Sequence, residues 1–503
     1  MAAAKKHGVV VVHGQVDASQ SCGEQLALVA NGIADTLENA GGRVERLFRV
    51  EGERARGSLL VTKPGSAEPE DEFRFVEAYW VRALPPAPSD VVLRWILRSA
   101  PRETMAVIRG FWRNAANDRV DDETGKRSDY PARAWLRLTF TAELVILTVV
   151  IALMVVLSVV LSPLIYVFYS IAGAGRSKTG GVLAGVSAAF HKVDPFLTVV
   201  LGDTWRFVED GMWSVNIRSI VETEVVAFYE DPEIADISVI AHSAGCGVCY
   251  DALAEGRATG AAAARLPRPK RLTLVTAGSA INRCHTLSKH SKTSPYTRRM
   301  SVERLDPRIT GSGRAPAATP EEMAALRSRF YWLDVYARMD LVPGGSISET
   351  VAKMAGLDPC QIKRRPVINE DSLVRDHFGY FNNTDLVTPR LIRAIYGGEY
   401  PWLGTSRADT PQITGDRVAR RTRAVAALQA LRMVRYGLVV GYTVFFVVSR
   451  QFQDWAAKDA GAVLNLDLGG VGEAITMALV LLGPILLCFY VYNGIRGWWF
   501  DQL

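Results

Sequence analysis

The nine residues Ile237-Ser238-Val239-Ile240-Ala241-His242-Ser243-Ala244-Gly245 constrain the fold more than any other stretch of the chain. A short apolar run ends in a serine with small residues two positions before and two after it. A helical pattern, Cys249-Tyr250-Asp251-Ala252-Leu253, follows at once. Where a strand turns directly into a helix, the residue at the tip is held in a strained backbone conformation, and only small side chains fit at the −2 and +2 positions. The pattern therefore predicts a strand, a sharp turn with Ser243 at its tip, and a helix packed back on a sheet. Ala241 stands where glycine is more usual, and Gly245 keeps the glycine at +2. The bare spacing can arise by chance in a chain this long; the flanking strand and helix give it weight over an idle serine at an ordinary turn.

The rest of the chain supplies a sheet for that unit. Residues 8–12 read as a buried strand ending in His13-Gly14, and Gln25–Leu37 as a helix. Val44–Val50, Ser58–Thr62 and Phe73–Trp80 read as further strands. From about Asp194 strand and helix patterns alternate, with strands at Ile237–Ala241, Arg271–Thr276 and Phe330–Tyr336. Such alternation predicts an α/β fold built on a doubly wound, mostly parallel sheet. At 503 residues, one large or two smaller folded units with appendages are expected.

A serine at such a tip becomes a nucleophile only with a base to take its proton and an acid to orient that base. The seven histidines are His7, His13, His191, His242, His285, His290 and His377. In this strand-turn-helix class the chain order is serine, acid, histidine. His285 and His290 come too soon after the serine to leave room for a strand and an acid. Only His377 lies beyond the last expected strand, on a loop before a helix, and it is the expected base. Asp340 occupies the turn after Phe330–Tyr336 and is the expected acid; Asp334, inside that strand, is expected to be a structural acceptor. Backbone N–H groups of Ala244 and of the Gly14-Gln15 turn are placed to stabilise an oxyanion. His13 and His242 read as structural. Cys246 and Cys249 form a C-x-x-C on the helix after Ser243, without a second ligand pair elsewhere, so packing is expected rather than metal or redox chemistry.

Four segments together resemble an α/β-hydrolase of the lipase/esterase kind: Val11-Val12-His13-Gly14, Ala241-His242-Ser243-Ala244-Gly245, Asp340-Leu341-Val342 and His377-Phe378-Gly379-Tyr380. Gly202-Asp203-Thr204-Trp205-Arg206-Phe207 and Trp332-Leu333-Asp334-Val335-Tyr336 are similar to intracellular phospholipase-like members. The resemblance covers residues about 8–15 and 195–385. It implies ester hydrolysis through an acyl-enzyme, with no metal and no organic cofactor. Acyl lipids are the expected substrate class. Acyl transfer with the same triad, and a non-catalytic membrane scaffold that keeps the fold, are the alternatives.

Apolar residues make up 49% of the chain, and they are concentrated in a few runs. Leu144–Gly175 holds 32 residues without a charge, enough for one membrane helix with a tail or for a short hairpin broken near Ser162-Pro163. Tyr436–Ser449 has 14 charge-free residues, roughly 21 Å of helix at about 1.5 Å per residue, and would span only if Arg435 and Arg450 snorkel. Ala474–Gly494 is the second late run. Six arginines between Asp416 and Arg435 alternate with apolar residues, as on a helix lying along a membrane surface. The net charge of +6 is small and gathers beside these runs, so a bilayer is the expected partner and nucleic acid is not.

The expected organisation is an α/β domain in two parts (1–137 and 176–404) around a hydrophobic hairpin or re-entrant insertion (138–175). A basic amphipathic segment (405–435) and a helix pair (436–503) follow. Ser291–Pro320, polar and basic, reads as an exposed loop over the site. The apolar stretch after Met1–Lys6 is too short for a signal-peptide core. Strands of one sheet must share one side of a bilayer, so the early run crosses an even number of times or not at all. A multi-pass protein with its α/β domain on the cytoplasmic side is expected.

Overall fold

Val9 to Val12 are buried to within 1% on both faces of their strand, which is possible only at the centre of a sheet covered on both sides. The computed structural model has that arrangement. It describes residues 4–14, 21–52, 54–80, 202–209, 211–255, 270–288 and 375–397, most of 330–347 and 362–369, and scattered helical positions within 91–95 and 427–495. The run 144–175, the loop 291–320, Gln15, His191, His290, Cys360 and most of the arginine-rich segment lie outside the described residues. The chain divides into two compact units, Met1–Asp409 and Thr410–Leu503.

In the first unit, eight strands are described: β1 (Lys5–Val12), β2 (Arg43–Glu51), β3 (Arg54–Thr62), β4 (Asp71–Glu77), β5 (Ile234–His242), β6 (Arg271–Ala277), β7 (Phe330–Ala337) and β8 (Ile362–Val367). They form one sheet in the order β2-β3-β4-β1-β5-β6-β7-β8. Pairing from β4 through β8 is parallel, and the β2-β3 and β3-β4 pairs are antiparallel. The helices are α1 (Glu24–Asn39), α2 (Gly202–Glu209), α3 (Gly211–Glu230), α4 (Ala244–Glu255), α5 (Ile281–Ser288), α6 (Arg375–Phe378) and α7 (Thr388–Tyr396). Val10, Val12, Ile237, Val239 and Leu274 pack with residues of α2 to α5 on one face. Val9, Val11, Ile240 and Val275 pack with α1 and α7 on the other. Each such fully buried side chain contributes about 1.5–3 kcal/mol. The sheet is thus mostly parallel and wound on both faces.

Three details depart from the sequence reading. β4 ends at Glu77 rather than Trp80, because Ala78 N–H closes the ladder on Val11 O (2.9 Å) and the chain then turns so that Trp80 caps His13. β8 is a strand although its sequence, Ile-Lys-Arg-Arg-Pro-Val, is charged and carries Pro366; an edge strand tolerates both. His377 lies within the helical turn α6 rather than on a loop before a helix.

In the second unit Phe446 and Tyr492 are buried, and the Arg435 guanidinium lies 4.3 Å from the Tyr492 ring centre. Val434, Leu438, Val444, Phe445, Val448, Leu487 and Tyr490 are exposed. Among the described residues no helix is long and apolar enough to cross a membrane.

Candidate active site

From β1 the chain crosses to β2 at one edge and returns through β3 to β4 beside β1, then runs from β5 outward on the other side. The carboxyl ends of β1 and β5 therefore flank the point where the winding reverses, the usual place for a site in such a sheet. Gly14 follows β1 there and Ser243 follows β5.

Ser243 is the sole non-glycine residue with positive φ among the described residues, at 55°. The left-handed conformation is costly for a residue with a Cβ, and the surroundings enforce it. Ser243 N–H donates to Ala277 O (3.1 Å), and Ser243 O accepts from Cys246 N–H and Ala280 N–H, both at 3.1 Å. Three bonds thus fix the backbone of one residue. Gly245 explains its own identity: a Cβ there would stand 2.2 Å from His13 O and 2.8 Å from Val12 O, so a side chain would push α4 off β1. Ala241 is fully buried, its methyl packed in the core on the α4 side.

The three groups singled out in the sequence meet at this tip. Ser243 Oγ is 2.7 Å from His377 Nε2, and His377 Nδ1 is 2.9 Å from Asp340 Oδ2. A carboxylate only accepts, so Nδ1 carries the hydrogen and Nε2 is left to accept from the serine hydroxyl. Asp340 is 1% exposed, with Oδ1 accepting from Val342 N–H at 2.8 Å. Ser243 and His377 retain 8% and 7% exposure, enough to meet a ligand from one side.

Asp334 is separate. Its Oδ1 accepts from Thr276 Oγ1 (2.9 Å) and its Oδ2 from Ile347 N–H (2.9 Å), and burial pushes its carboxyl up to about 6. It is a structural acceptor, as its strand position implies. His13 stacks on Trp80; its Nε2 accepts from Trp80 N–H (3.2 Å), so Nδ1 donates to Gly14 O (2.6 Å). Burial pulls its pKa down to about 4 and keeps it neutral. His242 stacks on the His377 ring at 4.7 Å and bonds the His377 carbonyl at 2.7 Å, rather than Ser243. Burial, then the neighbouring His377, lowers it to about 3, so no second cation forms beside the candidate base. Cys246 and Cys249 are buried free thiols whose pKa values burial raises, and Cys246 Sγ is 3.2 Å from Ala241 O. No metal-ligating cluster exists among the described residues.

For an oxyanion, Ala244 N–H is the first amide of α4, which no carbonyl within the helix can satisfy. Gly14 lies against Ser243: a Cβ there would fall 2.5 Å from Ser243 Cβ and 3.2 Å from its Oγ. Gln15 is outside the described residues.

Two participants had no role in the sequence reading. Tyr380, fully buried, donates its hydroxyl to Asp340 Oδ2 (2.9 Å) and accepts from Ala337 N–H (2.7 Å). Gly278, at φ 59°, leaves room for the pair: a Cβ would lie 2.7 Å from Tyr380 Cε2, 3.0 Å from Asp340 Oδ2 and 3.1 Å from His377 Nδ1. Behind α6, Asn369 Nδ2 holds Asp376 O (2.7 Å) and Asn383 Nδ2 holds Asn369 Oδ1 (2.9 Å). The position of Tyr380, three residues after the histidine, was the one signal available; the asparagines gave none.

The arrangement can do one thing directly: withdraw the Ser243 proton while an electrophile approaches between Gly14 and Ala244. No known family model, curated protein or solved structure matches the chain.

Proposed function

We propose that the chain is a serine hydrolase of the α/β-hydrolase kind that cleaves carboxylic esters, with acyl lipids as its substrate class. One observation carries the reading: a strained serine whose hydroxyl is 2.7 Å from an imidazole that is itself oriented, at 2.9 Å, by a buried carboxylate. Ser243 Oγ attacks the ester carbonyl as His377 Nε2 takes its proton, and Asp340 stabilises the resulting imidazolium. Ala244 N–H and the Gly14 turn face the developing oxyanion. Collapse expels the alcohol, which receives the proton from His377 and leaves an acyl-Ser243 ester. A water molecule, deprotonated by His377, attacks that ester, and the carboxylic acid departs with Ser243 restored.

A membrane location is part of the proposal. It is supported by the charge-free runs Leu144–Gly175, Tyr436–Ser449 and Ala474–Gly494 and by the exposed apolar side chains of the second unit. The test is covalent labelling by a fluorophosphonate probe in cell fractions. Wild-type protein is expected to be labelled in the membrane pellet and the Ser243→Ala variant to stay dark. Folded wild-type protein without label would overturn the hydrolase reading; a labelled band in the soluble fraction would overturn the membrane part alone.

A further inference from the structure

The outermost strand of the sheet, β2, has β3 on one side and no strand on the other among the described residues. Its sequence is Arg43-Val44-Glu45-Arg46-Leu47-Phe48-Arg49-Val50-Glu51. The face carrying the even-numbered residues turns toward α1: Val44 is buried, and Arg46 is held by Asp35 (2.7 Å) and Glu38 (2.8 Å). The other face carries Arg43, Glu45, Leu47, Arg49 and Glu51, all exposed. An edge of nine residues, about 30 Å long, without a paired strand among the described residues presents a row of backbone groups able to pair with another strand.

We propose that this edge is a self-association surface, joining two copies of the chain by antiparallel β2-β2 pairing about a two-fold axis at Leu47. Read against itself in reverse, the strand is complementary. Arg43 falls opposite Glu51, Glu45 opposite Arg49, and Leu47 opposite Leu47, all on the exposed face. On the α1 face Val44 falls opposite Val50 and Arg46 opposite Phe48. Two-fold symmetry repeats each contact, giving four ion pairs around an apolar centre. Charges on an edge ordinarily discourage pairing; here their order selects one register. A shift of two residues one way sets Arg43 against Arg49 and Arg46 against itself. A shift the other way sets Glu45 against Glu51. Directly opposed like charges are unfavourable and opposed unlike charges favourable, so the centred register stands out.

The intramolecular ladder supplies a second argument. Arg49 faces Arg56 on β3, a like-charge pair in direct opposition. Among the described residues Arg49 has one ion-pair partner, Glu51, 3.3 Å away on its own strand, and both side chains are more than 70% exposed. The Glu45 side chain has no hydrogen bond or ion pair among the described residues. A second copy would bring Glu45 to the open side of Arg49 and offset the repulsion from Arg56. Leu47 at 51% and Val50 at 57% exposure would lose water contact in the same step.

The test uses the full chain in detergent solution, with sedimentation to measure association and oxidation to trap it. Leu47→Cys should give a disulfide-linked dimer above the wild-type background. Arg43→Cys and Glu51→Cys should each stay uncrosslinked alone and crosslink when mixed. Arg49→Glu should raise the dimer dissociation constant about tenfold or more. Glu45→Arg with Arg49→Glu, which swaps the signs, should restore it. These positions are exposed, so folding is not at stake. A monomeric wild-type chain, or dimerisation untouched by Arg49→Glu, would overturn the proposal; so would a double swap that fails to restore association.

Discussion

The centre of the sheet and its β2 edge treat polar side chains in opposite ways. Along β1, β5 and β6 nearly every side chain is buried, so a polar group there is costly unless its partners are buried with it; the His7 ring and Ser238 Oγ are buried without a hydrogen bond among the described residues. Thr276 has Asp334, Asp340 has His377, Tyr380 and Val342 N–H, and His13 has Trp80 and Gly14 O. Along β2 the charges stay in water, and only Arg46 is drawn into a pair with α1. At the centre, position is fixed by several simultaneous bonds, which suits groups that must hold a reactive geometry. At the edge, no described residue outside β2 holds Glu45, Arg49 or Glu51 by a side-chain bond, which leaves these charges available to an outside partner.

The largest effect separates two aspartates that are equally buried, at 1% exposure, six residues apart. Asp340→Asn should lower ester turnover about 10⁴-fold by upsetting the His377 tautomer, and His377→Ala at least as much. Asp334→Asn should keep turnover within a few-fold and instead cost about 1–3 kcal/mol of stability, since an amide nitrogen would face Ile347 N–H or the Thr276 hydroxyl. Steady-state kinetics and thermal unfolding of the three variants check this. Comparable loss of turnover in Asp334→Asn would break the distinction between a buried polar group that orients and one that only supports.

A smaller effect is expected at Tyr380. Its hydroxyl shares Asp340 Oδ2 with His377, so Tyr380→Phe removes one of the restraints on the carboxylate and leaves Ala337 N–H without its acceptor. We expect kcat to fall about tenfold with KM little changed, alongside about 1–2 kcal/mol of lost stability. A change in melting temperature with kcat intact would make Tyr380 a core residue and nothing more.

These contrasts also explain what the sequence could reveal. The central strands were legible because burial on both faces demands an unbroken apolar run, as in Val9–Val12 and Ile237–Ala241. Ser243, Asp340 and His377 could be picked out because strand-turn-helix geometry fixes chain order, and a scarcity of histidines made elimination effective. β8 was missed because an edge strand needs no apolar pattern, and Lys363-Arg364-Arg365-Pro366 reads as loop. Tyr380 and Gly278 were not assigned because their roles depend on contacts across β6, β7 and the segment after α6, which no local spacing encodes. Asp334 and Asp340 could be told apart only by their offset from the strand end.

The smallest effect on turnover is expected where centre and edge meet. Glu77 ends β4, the strand that joins the antiparallel pair to the parallel core, and its carboxylate accepts from Gly23 N–H at the start of α1. It is 3% exposed, and burial, assisted by Glu24 and only partly opposed by the Gly23 bond, pushes its pKa up to about 7. A carboxyl raised in the folded state binds more protons there than in the unfolded chain between its ordinary value of 4.5 and about 7. Its contribution to stability is therefore fully present below pH 4.5 and is lost as pH rises through that window. Glu77→Gln cannot ionise and keeps an oxygen for Gly23. The variant should match wild type near pH 4.5 and exceed it by about 1–3 kcal/mol at pH 8, in denaturant titrations across that range. The buried histidines His13 and His242, pulled down to about 4 and about 3, act with the opposite sign below pH 6.5 in both proteins and cancel in the difference. A Glu77→Gln difference that is flat with pH would mean that Glu77 is solvated like the edge charges and does not belong to the buried centre.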